Sequence, residues 1–185
     1  MNLQIIKIND SFSVSGQISV DDIEDIADKG IRVIICNRPD GEANDQPNVA
    51  EIEAAAQKHN IQVIYQPVIP GQLSEDDIDQ FLQHVEQSNH RMHAFCRTGT
   101  RSITLWARYQ LRLGMPVGDV LSTARDAGYD LREALQDASP SLAASVPHYD
   151  IVIVGAGAAG IAVASSLMTR TKRLKIAIID NADVH

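Results

Sequence analysis

Cysteine is nearly absent from this chain, with only Cys36 and Cys96 among 185 residues. That excludes a disulfide framework, and their wide separation excludes a zinc knuckle. The histidines (His59, His84, His90, His93, His148, His185) lack paired ligand spacing, so no metal site is expected. Basic blocks are missing as well. A formal net charge of −8 argues against a nucleic-acid-binding surface. No apolar run is long enough to cross a bilayer, and Met1-Asn2-Leu3-Gln4 carries no signal-peptide pattern. The expectation is therefore a cytoplasmic protein with no membrane span and reduced thiols. Its oligomeric state is not written in the sequence. What is present is 44% apolar residues, enough to build a core.

Those apolar residues alternate between strand-like and helix-like patterns. Leu3–Ile8, Ile31–Cys36, Ile61–Tyr65 and Arg91–Phe95 read as strands, the second β-branched enough to be buried in a parallel sheet. Helical patterns follow Ser19, run near Asn48–Asn60, start after Ser74, and cover Ser102–Leu113, Val117–Ala127 and Leu131–Ala138. Strands alternating with helices predict an α/β domain over residues 1–138, its mainly parallel sheet flanked by helices. Residues 139–147, rich in Ser, Ala and Pro, read as a linker.

One heptad carries the chemistry: Cys96-Arg97-Thr98-Gly99-Thr100-Arg101-Ser102. It lies between a predicted strand and a predicted helix. Loop N–H groups and the positive end of the helix dipole then converge on one point and favour an anion there. The same field favours a thiolate nucleophile at Cys96. Arg101 is expected to close on the anion, with Arg97, Thr98, Gly99 and Thr100 lining it and Ser102 capping the helix or supporting the thiolate. Asn37-Arg38-Pro39-Asp40 should reach the same sheet edge, where Arg38 would recruit an anion and Asp40 would serve as general acid or cap a turn. Cys36 reads mainly as packing.

Residues 148–185 hold a second signal. Ile151–Val154 runs into Gly155-Ala156-Gly157-Ala158-Ala159-Gly160, then a helical stretch, then an apolar run ending at Asp180. The glycines would allow a tight turn, a close pyrophosphate and helix–strand contact, while Asp180 would bind ribose hydroxyls. A single β-α-β unit cannot enclose a dinucleotide, so this segment reads as an incomplete Rossmann start. FAD is expected only for a complete C-terminal domain, and no cofactor for residues 1–138.

Two resemblances follow from these strings. Residues 10–135 resemble the phosphatase-like domain of the beta-lactamase hydrolase-like protein family. The shared strings include Val14-Ser15-Gly16-Gln17-Ile18, Asn37–Glu42, Pro67-Val68, Cys96–Ser102 and Ala127-Gly128-Tyr129-Asp130-Leu131. This resemblance implies a dual-specificity phosphatase fold. Residues 149–180 resemble the opening of FAD-binding domains in sulfide:quinone oxidoreductases.

The Cys96 loop departs from phosphatases in holding one residue fewer between cysteine and arginine, which is similar to rhodanese-type sulfurtransferases. The stretch Gln66–Leu73 also offers no carboxylate as a general acid. Three readings follow. The first is a cysteine sulfurtransferase linked to sulfide oxidation, with small sulfur anions or thiols as partners. The second is a phosphatase-like hydrolase that uses Cys96 on a phosphorylated substrate. The third is a non-catalytic anion-binding module.

Overall fold

Five strands from the first 100 residues pair in a fixed register to form one sheet. In a computed structural model, residues 3–136, 151–155, 157–170 and 176–179 are described. Strands β1 (Ile6–Lys7), β2 (Phe12–Ser15), β3 (Ile31–Cys36), β4 (Gln62–Tyr65) and β5 (Arg91–Phe95) lie in the order β1-β2-β5-β3-β4. Only β1 is antiparallel to its neighbour. The α/β class with a mostly parallel sheet is as expected.

Helices cover both faces. α1 (Ile23–Asp28), after a short 3₁₀ turn, and α2 (Val49–Gln57) place Ile23, Ile26, Ile52 and Ala56 against Ile34 and Phe95. α3 (Glu75–Glu86), α4 (Thr100–Arg112) and α5 (Val117–Asp126) cover the other face with Phe81, Ile103, Trp106 and Val120 against Val14, Ile35 and Ala94. The Phe81 ring meets Phe12 edge-on, with centroids 5.7 Å apart. Burying each such side chain contributes about 1.5–3 kcal/mol. α2 and α3 begin where sequence signals put them. The side chains of Asn48 and Ser74 accept the Glu51 and Asp77 N–H groups, and those carboxylates bond back in capping boxes.

Three expectations need correction. The first strand is only Ile6–Lys7 rather than Leu3–Ile8, and a strand the sequence reading did not place follows it at Phe12–Ser15. β2 is hidden in the sequence because Ser13 and Ser15, although polar, are buried. Helix α4 starts at Thr100, two residues before the expected Ser102, because Gly99 adopts φ = 89° and turns the chain earlier. Residues 131–136 form turns instead of the opening of a helix, and Arg108 Nη2 donates to the Ala134 carbonyl at 2.8 Å. The rest of that stretch and the linker at 139–147 lie outside the described residues.

The register sets the site. Ser15 pairs with Phe95, Cys36 pairs with Phe95, and Tyr65 pairs with Cys36, so four parallel strands end in one row. The residues that follow them (Gly16, Cys96, Asn37 and Gln66) therefore emerge along a single edge, as parallel α/β sheets arrange their ligand sites.

The chain divides into two compact units, Met1–Ala138 and Ser139–His185. In the second, β6 (Ile151–Val154) and β7 (Ile176–Ile179) are parallel partners joined through α6 (Ala158–Arg170). Gly155 has φ = 104°, which favours glycine. A Cβ on Gly160 would lie 1.9 Å from the Gly155 carbonyl oxygen, so only glycine lets helix and turn approach this closely. Gly157 is exposed in open space. Asp180 lies outside the described residues.

Candidate active site

Cys96 is the first residue after β5 and is 1% exposed. The loop turns back over it, and the Gly99 N–H donates to its Sγ at 3.1 Å. Gly99 must be glycine for two reasons. Its φ of 89° is left-handed, and a Cβ there would sit 2.1 Å from the Tyr129 hydroxyl oxygen and 3.1 Å from the Ser15 carbonyl oxygen. The Thr98 and Thr100 hydroxyls are 3.0 Å apart on the exposed side of the loop. Arg97 is exposed, and its carbonyl accepts from the Gln17 N–H at 3.3 Å.

Arg101 reaches across the sheet edge, on the first turn of α4. Its Nη1 donates to the Val68 carbonyl at 2.9 Å, and its Nη2 donates to Glu42 Oε2 at 2.9 Å. The same Glu42 oxygen accepts from Arg38 Nε at 2.8 Å, while Arg38 Nη1 donates to Gln17 Oε1 at 2.7 Å. Side-chain exposures of 7% for Arg38 and 13% for Arg101 show that both cations are largely withdrawn from solvent. Such pairs persist only when well hydrogen-bonded. The Arg101 guanidinium, and then Arg38, hold the Glu42 carboxyl below its usual range despite opposing desolvation.

The sequence-predicted residues therefore meet at one edge, but not all stand where their expected roles require. Arg38 is spent on Glu42 and Gln17, so an incoming anion would have to displace a buried pair to use it. Asp40 is not free as a proton donor. Its Oδ1 accepts the Val49 N–H at 2.9 Å at the start of α2, the capped-turn alternative. Ser102 lies within the first turn of α4, fully buried, and Gly99 occupies the cap position in its place. The Ser102 hydroxyl has no hydrogen-bond partner among the described residues, Cys96 included. Cys36 packs among Ile34, Ile52 and Phe95, and burial pushes its thiol up to about 11.

Two participants escaped the sequence reading. Glu42 bridges the arginines; the sequence reading holds it in the shared string Asn37–Glu42, four residues after Arg38, without a role. Tyr129, half-buried after α5, donates its hydroxyl to the Thr98 carbonyl at 3.2 Å. Burial, and then the negative charge of Cys96, raise the Tyr129 phenol above its ordinary value.

Known proteins share this framework. Residues 4–112 match the family model "Beta-lactamase hydrolase-like protein, phosphatase-like domain". A beta-lactamase hydrolase-like protein of Xylella fastidiosa strain Temecula1 is 31% identical over 134 residues, covering 72% of this chain and 31% of the relative. The chain thus spans about a third of that relative's length. A crystal structure of a candidate phosphatase from Neisseria meningitidis aligns with TM-score 0.67 and 36% identity over 72% of this chain and 97% of its own. Kinase-associated phosphatase, crystallised with its catalytic-site cysteine replaced by serine, shares the fold at TM-score 0.58 and 16% identity, over 77% of this chain and 96% of its own. The family model and the Neisseria structure carry phosphatase names, and neither supports sulfur transfer. The family match ends at residue 112 and so gives no support to an FAD domain. By sequence and by fold, the chain belongs to the phosphatase-like domain family of beta-lactamase hydrolase-like proteins.

Proposed function

We propose that the N-terminal unit is a cysteine-dependent phosphatase acting on phosphate esters with stable leaving groups. The observation that carries this reading is the Gly99 N–H directed at Cys96 Sγ at 3.1 Å, within a loop closed by the Arg101-bearing helix. The Cys96 thiolate attacks phosphorus, the bond to the leaving oxygen breaks, and a thiophosphoryl enzyme forms. Water then attacks phosphorus, the S–P bond breaks, and orthophosphate leaves with the thiolate restored. Loop amides stabilise the three equatorial oxygens, joined by the N–H groups of Arg101 that its bonds to Val68, Asn37 and Glu42 leave over.

Among the described residues, no carboxyl group stands ready to protonate a departing alkoxide. Asp40 is committed to α2, Glu42 is held ionised between two guanidinium groups, and Asp130, which lines the neighbouring concavity, is held low by its pairing with Arg132. Substrates should therefore be aryl phosphates, phosphotyrosine among them, whose leaving groups need little protonation. A surface concavity of about 560 Å³, lined by Leu121, Ser122, Arg125, Tyr129 and Arg132, adjoins the loop through Tyr129 and offers room for the leaving group.

Sulfur transfer is the second reading, favoured by the short spacing between Cys96 and Arg101. Purified chain and Cys96→Ser are compared on p-nitrophenyl phosphate and on thiosulfate with cyanide. Phosphate release that vanishes in Cys96→Ser supports the proposal. Thiocyanate formation alone reverses the order, and neither product leaves an anion-binding module.

For the second unit we infer a narrower property. The turn at Gly155 and the close contact at Gly160 fit the glycine loop of a complete FAD domain, where backbone would lie against a pyrophosphate. Since one β-α-β unit cannot enclose a dinucleotide, FAD fluorescence should stay unchanged on titration with this chain; saturable quenching that Gly157→Asp abolishes would overturn that.

A further inference from the structure

Ser13, Ser15 and His93 form a polar row inside an otherwise apolar sheet face. His93 and Ser15 are 0% exposed and Ser13 is 7% exposed. The imidazole lies between the two hydroxyls, with Nδ1 3.0 Å from Ser13 Oγ and Nε2 2.9 Å from Ser15 Oγ. Ser15 Oγ also donates to the Gly16 carbonyl at 2.7 Å. A hydroxyl carries one proton. With that proton on Gly16, Ser15 Oγ can only accept from His93, which puts the ring proton on Nε2. Nδ1 then accepts from Ser13, whose longer 3.3 Å approach to the Met92 carbonyl is left without its proton.

This chain of donors ends on the segment against which the Cys96 loop is built. Immediately beyond Ser15, the Gln17 N–H donates to the Arg97 carbonyl at 3.3 Å. A Cβ on Gly16 would stand 3.3 Å from that same carbonyl, so Gly16 packs directly on the loop. The Ser15 carbonyl approaches Gly99, the residue whose N–H meets Cys96 Sγ.

We infer that neutral His93, in its Nε2–H tautomer, is a positioning residue that fixes Ser15 and Gly16 and thereby the backbone donors of the Cys96 loop. It touches neither the nucleophile nor a bound anion. The inference rests on the reading of that loop as an anion cradle. A purely structural polar core predicts something different, since it would make Ser13 and Ser15 equivalent: each supplies one bond to the same ring. The positioning role makes them unequal, because only Ser15 passes the constraint to Gly16.

The experiment compares wild type, Ser13→Ala and Ser15→Ala. Iodoacetamide labelling of the Cys96 peptide is followed by mass spectrometry, with orthophosphate titrated as a protecting anion. Imidazole ¹⁵N shifts report the His93 tautomer, and urea unfolding reports stability. Both variants should lose similar stability. Ser15→Ala should need on the order of tenfold more phosphate for half-protection, while Ser13→Ala shifts it by less than about twofold, since a buried hydrogen bond acts locally on the group it holds. Wild type should show protonated Nε2, a readout that requires no variant to fold. Protonated Nδ1 in wild type, or equal shifts in the two variants, overturns the inference. If phosphate fails to protect wild-type Cys96, the cradle reading itself is lost. The tautomer and the unprotected labelling rates of the two variants then still decide the His93 question.

Discussion

Glu42 Oε2 lies 2.9 Å from Arg101 Nη2, and the same oxygen accepts from Arg38 Nε at 2.8 Å. One carboxylate thus keeps two guanidinium groups together at the edge of the Cys96 loop. Glu42→Gln retains an acceptor but removes the charge, leaving two cations side by side. Stability should fall by about 2 kcal/mol, between the values for exposed and fully buried pairs. Phosphatase efficiency should fall about tenfold as Arg101 loses its fixed orientation. The difference should narrow in acid. Glu42's folded value is depressed, so its contribution is present above the ordinary 4.5 and is lost as pH falls through the folded value. Wild-type kinetics and denaturation midpoints in Glu42→Gln at neutral pH would remove Glu42 from the site.

His93 gives a second pH dependence of separate origin. Burial lowers its folded value from 6.5 to about 3, so the native state excludes a proton that the unfolded chain accepts. The linked stability is fully present above 6.5 and declines as pH falls from there toward about 3. The slope approaches about 1.4 kcal/mol per pH unit once the unfolded histidine is mostly protonated. Urea midpoints measured from neutral pH to pH about 5 should fall in wild type and fall less steeply in His93→Gln. Parallel slopes would mean that other groups dominate acid unfolding.

The framework was legible where pattern and packing agree. The Ile31–Cys36 run could only be a buried strand, and capping residues Asn48 and Ser74 announced their helices. The Cys96 heptad was legible too, because a cysteine and a glycine between strand and helix leave few other geometries. β2 was not. Ser13 and Ser15 are buried only because His93, far along the chain, satisfies them. Likewise no local rule says that Arg38 and Arg101 share one carboxylate, since Glu42 and Arg101 come from different elements. Spacing alone pointed to sulfur chemistry, whereas the family model and a 36%-identical structure carry phosphatase names.

Gly99 and Tyr129 should behave as a coupled pair. Gly99→Ala adds a methyl 2.1 Å from the Tyr129 hydroxyl oxygen and places alanine at φ = 89°. The left-handed conformation alone costs about 1–2 kcal/mol, and the clash adds to it. Tyr129→Phe removes the nearest atom and the bond to the Thr98 carbonyl, costing about 1 kcal/mol by itself. In a double-mutant cycle, Gly99→Ala should therefore be less damaging when combined with Tyr129→Phe than in wild type, with an interaction energy of about 1 kcal/mol. Additive effects would show that the loop relaxes away from Tyr129 without cost.

The two thiols should separate cleanly in their reactivity. Both thiols are buried, Cys36 at 3% and Cys96 at 1% exposure, so their environments must separate them: the Cys36 Sγ donates to the Arg38 carbonyl at 3.3 Å, and burial holds its thiol at about 11. At pH 8 only about one part in a thousand would be thiolate, and thiolate is the form that reacts. Cys96, under the Gly99 N–H in the anion loop, should take iodoacetamide first. Peptide-resolved mass spectrometry of native protein at pH 8 should find the label on Cys96 and almost none on Cys36. Cys96→Ser should then resist labelling until denaturant is added. Rapid native labelling of Cys36 in that variant would show that the β3 edge opens to solvent.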